Sequence, residues 1–191
     1  MSKVVIKKRD NSNFSDKTAL RLQECMRFHG GPVRVLDCFH GEGKLWADVA
    51  ELYPGKINLV GIEKERGKSP FTVLEGDNQK FLPAMDLSRF DLIDLDAYGS
   101  VSKQFMSVVR NPTFGGCPIF ITEITTFLGA IPREVTGSNS LHHFYKKNRT
   151  VLRSLYYPLL FEMFRKYGAK KIKYIQRDKG PSRKLYGVLY F

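Results

Sequence analysis

Cysteine is scarce in this sequence, and the cysteines present show no pairing pattern. Cys25, Cys38 and Cys117 are far apart and lack any CxxC spacing, which argues against a disulfide framework or a zinc site and fits a reducing, cytoplasmic setting. Long apolar runs are also missing. None approaches the roughly 18 residues that cross a bilayer, and the start, MSKVVIKKRD, has no apolar signal core, so no membrane partner is expected. No repeat, low-complexity tract or linker divides the chain. A single domain over 1–191 is expected, with 1–30 as an extension and helix and 33–191 as the core. Acidic residues are the remaining shortage: 19 Asp and Glu stand against 31 Lys and Arg, a net charge of +12. Such an excess favours polyanions, because each neutralised phosphate releases a condensed counterion.

The basic residues cluster at 3–9, at Lys146, Lys147, Arg149 and Arg153, and along 166–173 and 177–184, with Phe144, Tyr145, Tyr156, Tyr157 and Tyr174 interleaved. Those aromatics either stack on bases or belong to the core. With 42% hydrophobic residues, the chain can bury a substantial interior.

The order of elements predicts an α/β fold. Ser15 reads as the N-cap of a helix over 15–29, with Ala19, Leu22, Cys25 and Met26 as its apolar face. Short strand-like runs follow at 33–38 (VRVLDC), 57–62 (INLVGI), 71–74 (FTVL), 90–95 (FDLIDL) and 118–122 (PIFIT). Strands alternating with helical stretches indicate right-handed βαβ units, a parallel sheet covered on both faces, and ligands at the strands' carboxyl ends. A long amphipathic helix near 149–167 then precedes KKIKYIQ and KLYGVLYF, joined through Lys179-Gly180-Pro181. That is a hairpin, so the last strand is expected to run antiparallel to the sheet.

Several motifs sit at the expected carboxyl edge. Asp37-Cys38-Phe39-His40-Gly41-Glu42-Gly43 turns from a buried strand into a helix near Lys44, and its glycines allow close backbone approach. Glu63 ends the second strand, where an acid accepts from ribose hydroxyls or is simply an exposed charge in a crowded turn. Asp77 and Asn78 follow the third strand, where Asp77 either meets an adenine amine or caps a helix. Asp94 and Asp96 alternate onto one side of the fourth strand, followed by Tyr98. Asp96 either orients an amine or caps the helix near Ser100. His142 and His143 lie beyond a polar stretch, 137–140, which is the candidate substrate-gating loop.

Together these motifs resemble the class I S-adenosylmethionine-dependent methyltransferases, which implies a doubly wound Rossmann-like sheet of seven strands with a reversed last strand. The cofactor carries no phosphate, so a short glycine turn with carboxylates suits it. Asp37, Phe39, Gly41, Gly43, Glu63, Asp77, Asn78 and Asp94 would contact it. More specifically, Asp94-Leu95-Asp96-Ala97-Tyr98-Gly99-Ser100, Thr122-Glu123-Ile124-Thr125-Thr126-Phe127-Leu128-Gly129 and the later NRTVLRSL resemble the tRNA guanine-N2 dimethyltransferases. Ala97 stands where that family has proline, and the family's large C-terminal RNA-engaging domain has no counterpart. The resemblance implies that Asp96 orients an exocyclic amine, that Tyr98 stacks on the base, and that Glu123 or Thr125 lines the substrate pocket; His143, with His142, either joins that pocket or begins a helix after the loop. RNA is favoured over DNA, and no metal is required. The oligomeric state is left open. Two alternatives remain at this level: a metal-dependent O-methyltransferase using Asp96 as a ligand, and a non-catalytic protein on the same fold.

Overall fold

The computed structural model describes residues 13–65, 67–126, 131–179 and 182–191. The basic start at 3–9, Phe127 to Gly129 and the Gly180-Pro181 turn lie outside the described residues.

The strands are β1 (Val33–Asp37), β2 (Ile57–Glu63), β3 (Thr72–Glu75), β4 (Leu92–Asp96), β5 (Ile119–Thr126), β6 (Lys171–Lys179) and β7 (Ser182–Tyr190). They form one sheet in the order β3-β2-β1-β4-β5-β7-β6. β1 to β5 are mutually parallel. β7 runs antiparallel to β5, from Ile119 opposite Leu189 to Thr126 opposite Ser182, so the reversed last strand expected from the hairpin is present. β5 extends past the expected 118–122 through the Thr-rich segment, because β7 pairs with it along its whole length.

Strand alternation supplies two cores. Val33 and Val35 of β1, Leu92 of β4 and Phe120 of β5 face one layer with Trp46 and Val49. Leu36, Ile93, Leu95, Ile119 and Ile121 face the other with Phe105, Leu160 and Phe164. Strands buried on both faces need continuous apolar runs, which is why these segments read so clearly in the sequence. The first layer holds α1 (Phe14–Cys25) and α2 (Lys44–Leu52). The second holds α4 (Ser102–Val109) and α7 (Arg149–Lys166). The remaining helices are α3 (Asn78–Phe81), α5 (Arg133–Thr136) and α6 (Asn139–Lys147). Parallel pairing brings Asp37, Glu63, Glu75 and Asp96 to one edge.

α1 departs from expectation in its cap and in its buried face. It begins at Phe14 after Asn13, with no side-chain cap, and passes at Met26 into a 3-10 turn, so Ser15 is helical and not the cap. Thr18, Leu20, Arg21, Glu24 and Cys25 are buried, while Ala19 and Met26 are exposed. A hydrophobicity pattern cannot find this face because two of its buried side chains are charged. Arg21 grips Asp94 with both arms, Nε to Oδ2 at 2.7 Å and Nη2 to Oδ1 at 2.7 Å. The indole N–H of Trp46 donates to the same Oδ2 at 2.8 Å. Further along, Glu24 accepts from the Tyr190 hydroxyl at 2.6 Å and from Arg27 at 2.7 Å, and Arg177 of β6 pairs with Asp16 at 2.9 Å.

Removing one partner of a buried ion pair strands the other charge away from water, a loss of about 3–5 kcal/mol. Arg21→Met is therefore expected to destabilise the chain by about that amount in urea unfolding. A loss below about 1 kcal/mol, the range of an exposed pair, would show that α1 docks without the Arg21–Asp94 contact.

Candidate active site

The turn after β1 is built around His40. Its ring is buried, with Nδ1 3.0 Å from Asp37 Oδ2 and Nε2 2.6 Å from Ser69 Oγ. Two glycines make room for it. A Cβ on Gly43 would lie 2.6 Å from the imidazole, and one on Gly61 of β2 would lie 2.4 Å from it. Gly43 also adopts φ +71°, a left-handed conformation that favours glycine, as it hands the chain to α2. Gly43 thus makes room for His40. Gly41 is different: φ is +58° and nothing lies within 4 Å of where a Cβ would be, so its outer side is open to a ligand.

Glu63, half-buried at the end of β2, folds over this turn. Its Oε2 accepts from the Gly41 N–H at 2.8 Å and its Oε1 from the Lys64 N–H at 2.8 Å. Asp77 caps α3, accepting from the Gln79 N–H at 3.0 Å. Asn78 is buried, donating to the Cys38 carbonyl at 2.8 Å and accepting from Gln104 at 3.2 Å. The ends of β1, β2 and β3 are therefore tied into one rim, with Gly41, Glu63, Asp77 and Asn78 on it. Phe39 is half-buried against the second core.

Two further expected cofactor residues, Asp37 and Asp94, are engaged within the protein. Asp37 is buried, and both its oxygens are used inside the protein, by His40 and by the Phe39 N–H at 3.2 Å. It holds the turn from below. Asp94 is fully buried and occupied by Arg21 and Trp46. Burial pushes its carboxyl up, to about 6, against the opposing pull of Arg21.

Asp96 lies at the carboxyl tip of β4 and is not a helix cap, since α4 begins at Ser102 after Val101 with no side-chain cap. Its carboxylate instead accepts two hydrogen bonds from the Lys17 ammonium, at 2.6 and 2.8 Å, with Arg21 Nη2 3.6 Å away. Lys17 also lies over the Tyr186 ring, 5.3 Å from its centroid. Burial by itself would raise Asp96, but the charges of Arg21 and Lys17 outweigh it and hold the carboxyl below its ordinary range. Tyr98, two residues on, is 82% exposed.

Glu123 departs from its expected place on the pocket wall. It is fully buried on the opposite face of β5, bonded to the Tyr156 hydroxyl of α7 and accepting from the Val101 N–H at 3.0 Å. With the Ile124 N–H donating to the Gly99 carbonyl at 3.0 Å, it braces the loop that carries Tyr98. Thr125 is half-buried, its hydroxyl 3.5 Å from the Arg183 carbonyl. His143 is exposed on α6. The stretch 137–140 is no open loop: Ser138 caps α6 by accepting from the Leu141 N–H at 3.1 Å.

Lys17, Arg21, His40 and Ser69 also stand at this edge, bonded to the carboxylates and the turn, and the local sequence pattern does not mark them as site residues. The first two precede the core on a helix that looked peripheral. His40 stands in the glycine motif, and two close glycines with a histidine between strand and turn were the available signal.

Comparison with models of known protein families gives no match, and comparison with curated proteins gives none either. Solved structures do match. A SAM-dependent methyltransferase from Archaeoglobus fulgidus is 10% identical, with a TM-score of 0.54 over 94% of this chain and 95% of that one. P. horikoshii TYW2, in complex with MeSAdo, is 11% identical, with a TM-score of 0.56 over 99% of this chain and 65% of that one. The plantazolicin methyltransferase BamL, in complex with a triazolic desmethylPZN analog and SAH, is 12% identical, with a TM-score of 0.54 over 96% of this chain and 86% of that one. The chain has the fold of the S-adenosylmethionine-dependent methyltransferases.

Burial raises the Glu123 carboxyl to about 7. Between the ordinary carboxyl range and about pH 7 the folded chain holds a proton that the unfolded chain releases, so this group makes stability fall as pH rises through that window. Glu123→Gln keeps an acceptor for the Val101 N–H and removes the titration. Melting temperatures across that window are expected to fall less steeply in Glu123→Gln, and an unchanged slope would show that the carboxyl titrates normally.

Proposed function

We propose that this protein transfers a methyl group from S-adenosylmethionine to an exocyclic amine of a nucleic-acid base, with guanine in RNA or tRNA as the favoured target. The rim fits the cofactor. Gly41 leaves open space beside the turn, Glu63 presents a half-buried carboxylate at the end of β2 for ribose hydroxyls, and Asp77 and Asn78 flank the place expected for adenine. When bound, the cofactor supplies an electrophilic methyl on a sulfonium.

The observation that carries the choice of acceptor is the Lys17–Asp96 contact. Asp96 already accepts two hydrogen bonds from a nitrogen donor at the tip of β4. Its lowered pKa keeps it ionised at neutral pH. A base amine that takes over this contact from Lys17 would have its N–H groups held and its lone pair freed toward the methyl. A site satisfied by an ammonium supports an amine acceptor over a metal ligand. Tyr98, exposed beside Asp96, offers a face on which a base can stack.

The net charge of +12 and the exposed Lys103, Lys146 and Lys147 support a nucleic-acid substrate. Support for guanine comes from the resemblance of the Asp94 to Ser100 segment to the tRNA guanine-N2 dimethyltransferases. The free cysteines support a reducing, cytoplasmic compartment, and no described helix is long and apolar enough to cross a membrane.

The test is incubation with labelled S-adenosylmethionine and total RNA or DNA, followed by mass spectrometry of the nucleosides. A methylated guanosine is expected, formed roughly 100-fold more slowly by Asp96→Asn because the amine is then mispositioned. Product formed at the wild-type rate by Asp96→Asn would remove the role given to Asp96. Methyl label appearing only in small molecules would remove the nucleic-acid reading.

A further inference from the structure

The connection from β2 to β3 is unusual for a parallel pair. It spans only residues 64–71 and carries no helix among its described residues, whereas such crossovers ordinarily need a dozen or more residues, most of them helical. Of its described residues, Phe71 packs against the first core, and two further contacts converge on His40. Ser69 Oγ lies 2.6 Å from His40 Nε2, and the Phe71 ring meets the imidazole edge-on at 5.9 Å.

Asp37, His40 and Ser69 stand in the order of a hydrolytic triad, but the hydroxyl is engaged otherwise. Ser69 Oγ also accepts the Phe71 N–H at 3.0 Å. The Asp37 carboxylate can only accept, so it takes the Nδ1–H of the imidazole, and in the neutral ring Nε2 is then the acceptor for the Ser69 hydroxyl. Every polar atom of the relay then has a partner, and Ser69 acts as a peg. The ring it holds fills the slot between Gly43 and Gly61. The main chain of the same residue joins β2 to the turn, with His40 N–H donating to the Ile62 carbonyl at 3.2 Å and Gly43 N–H to the His40 carbonyl at 2.9 Å. Gly41, next in sequence, presents its N–H to Glu63.

The geometry points to Ser69 as a positioning residue for the cofactor: through His40 it fixes the spacing between the glycine turn and Glu63, the two edges that grip the adenosyl group. This rests on the cofactor reading above. Without the hydroxyl, a buried imidazole nitrogen loses the only donor it has among the described residues, a state costly enough to release the ring from its slot. The turn and Glu63 then separate.

The test compares wild type, Ser69→Ala and Ser69→Thr in the full chain, using S-adenosylhomocysteine as the probe. Calorimetry is expected to show about tenfold weaker binding in Ser69→Ala and recovery to within about threefold in Ser69→Thr, which keeps the hydroxyl. In ligand-free protein, hydrogen exchange over residues 38–44 is expected to be about tenfold faster in Ser69→Ala alone. Wild-type affinity in Ser69→Ala, even with a lowered melting temperature, overturns the positioning role and leaves a merely structural one. Wild-type protein that binds no S-adenosylhomocysteine overturns the cofactor reading, and the positioning role falls with it. The exchange data would still report whether the peg holds the turn.

Discussion

The buried contact between Arg21 and Asp94 is the constraint on which the rest of the site depends. A carboxylate in the middle of a parallel sheet is tolerable only if its oxygens are met by donors. Two guanidinium arms and an indole N–H meet these. The donors come from different helices, so satisfying one buried charge fixes α1 and α2 against β4 together. Buried ion pairs add little net stability compared with apolar packing, but breaking one is costly, and their geometry selects a single docking of the helix. That docking carries Lys17, one turn earlier on the same face, to Asp96.

Electrostatics then divides the carboxylates of the carboxyl edge into different tasks. Asp94 and Asp37 are enclosed and spend their oxygens on protein donors. Asp96 is the most forward acid of β4 and is held ionised by two cations. Glu63 reaches outward over the glycine turn. Glu123, on the far face of β5, is protonated more readily than an ordinary carboxyl because burial dominates it, and it ties α7 to the loop after β4. One residue type thus supplies a buried anchor, a support for a histidine, a charged acceptor and a brace. The burial and the partners of each decide which.

The glycine turn shows the same division. Gly41 leaves space, whereas Gly43 and Gly61 give up theirs to His40. A motif that reads as one flexible loop in the sequence is in the fold a rigid frame around one imidazole, pegged from outside by Ser69 and from below by Asp37.

The sequence by itself determined the sheet: doubly buried strands require apolar runs such as VRVLD and LIDLD, and a turn between two strands near the end requires the last to run back. It also placed the acids and glycines at the carboxyl edge, because parallel topology leaves them nowhere else. Only the tertiary structure decided which acid faces outward, which glycine is filled, and which helix closes the site. Those choices depend on pairings across long stretches of chain, such as Lys17 with Asp96, Arg21 with Asp94 and His40 with Ser69. A local pattern of polar residues carries no mark of its distant partner, so an arginine bound for the core reads like one bound for water.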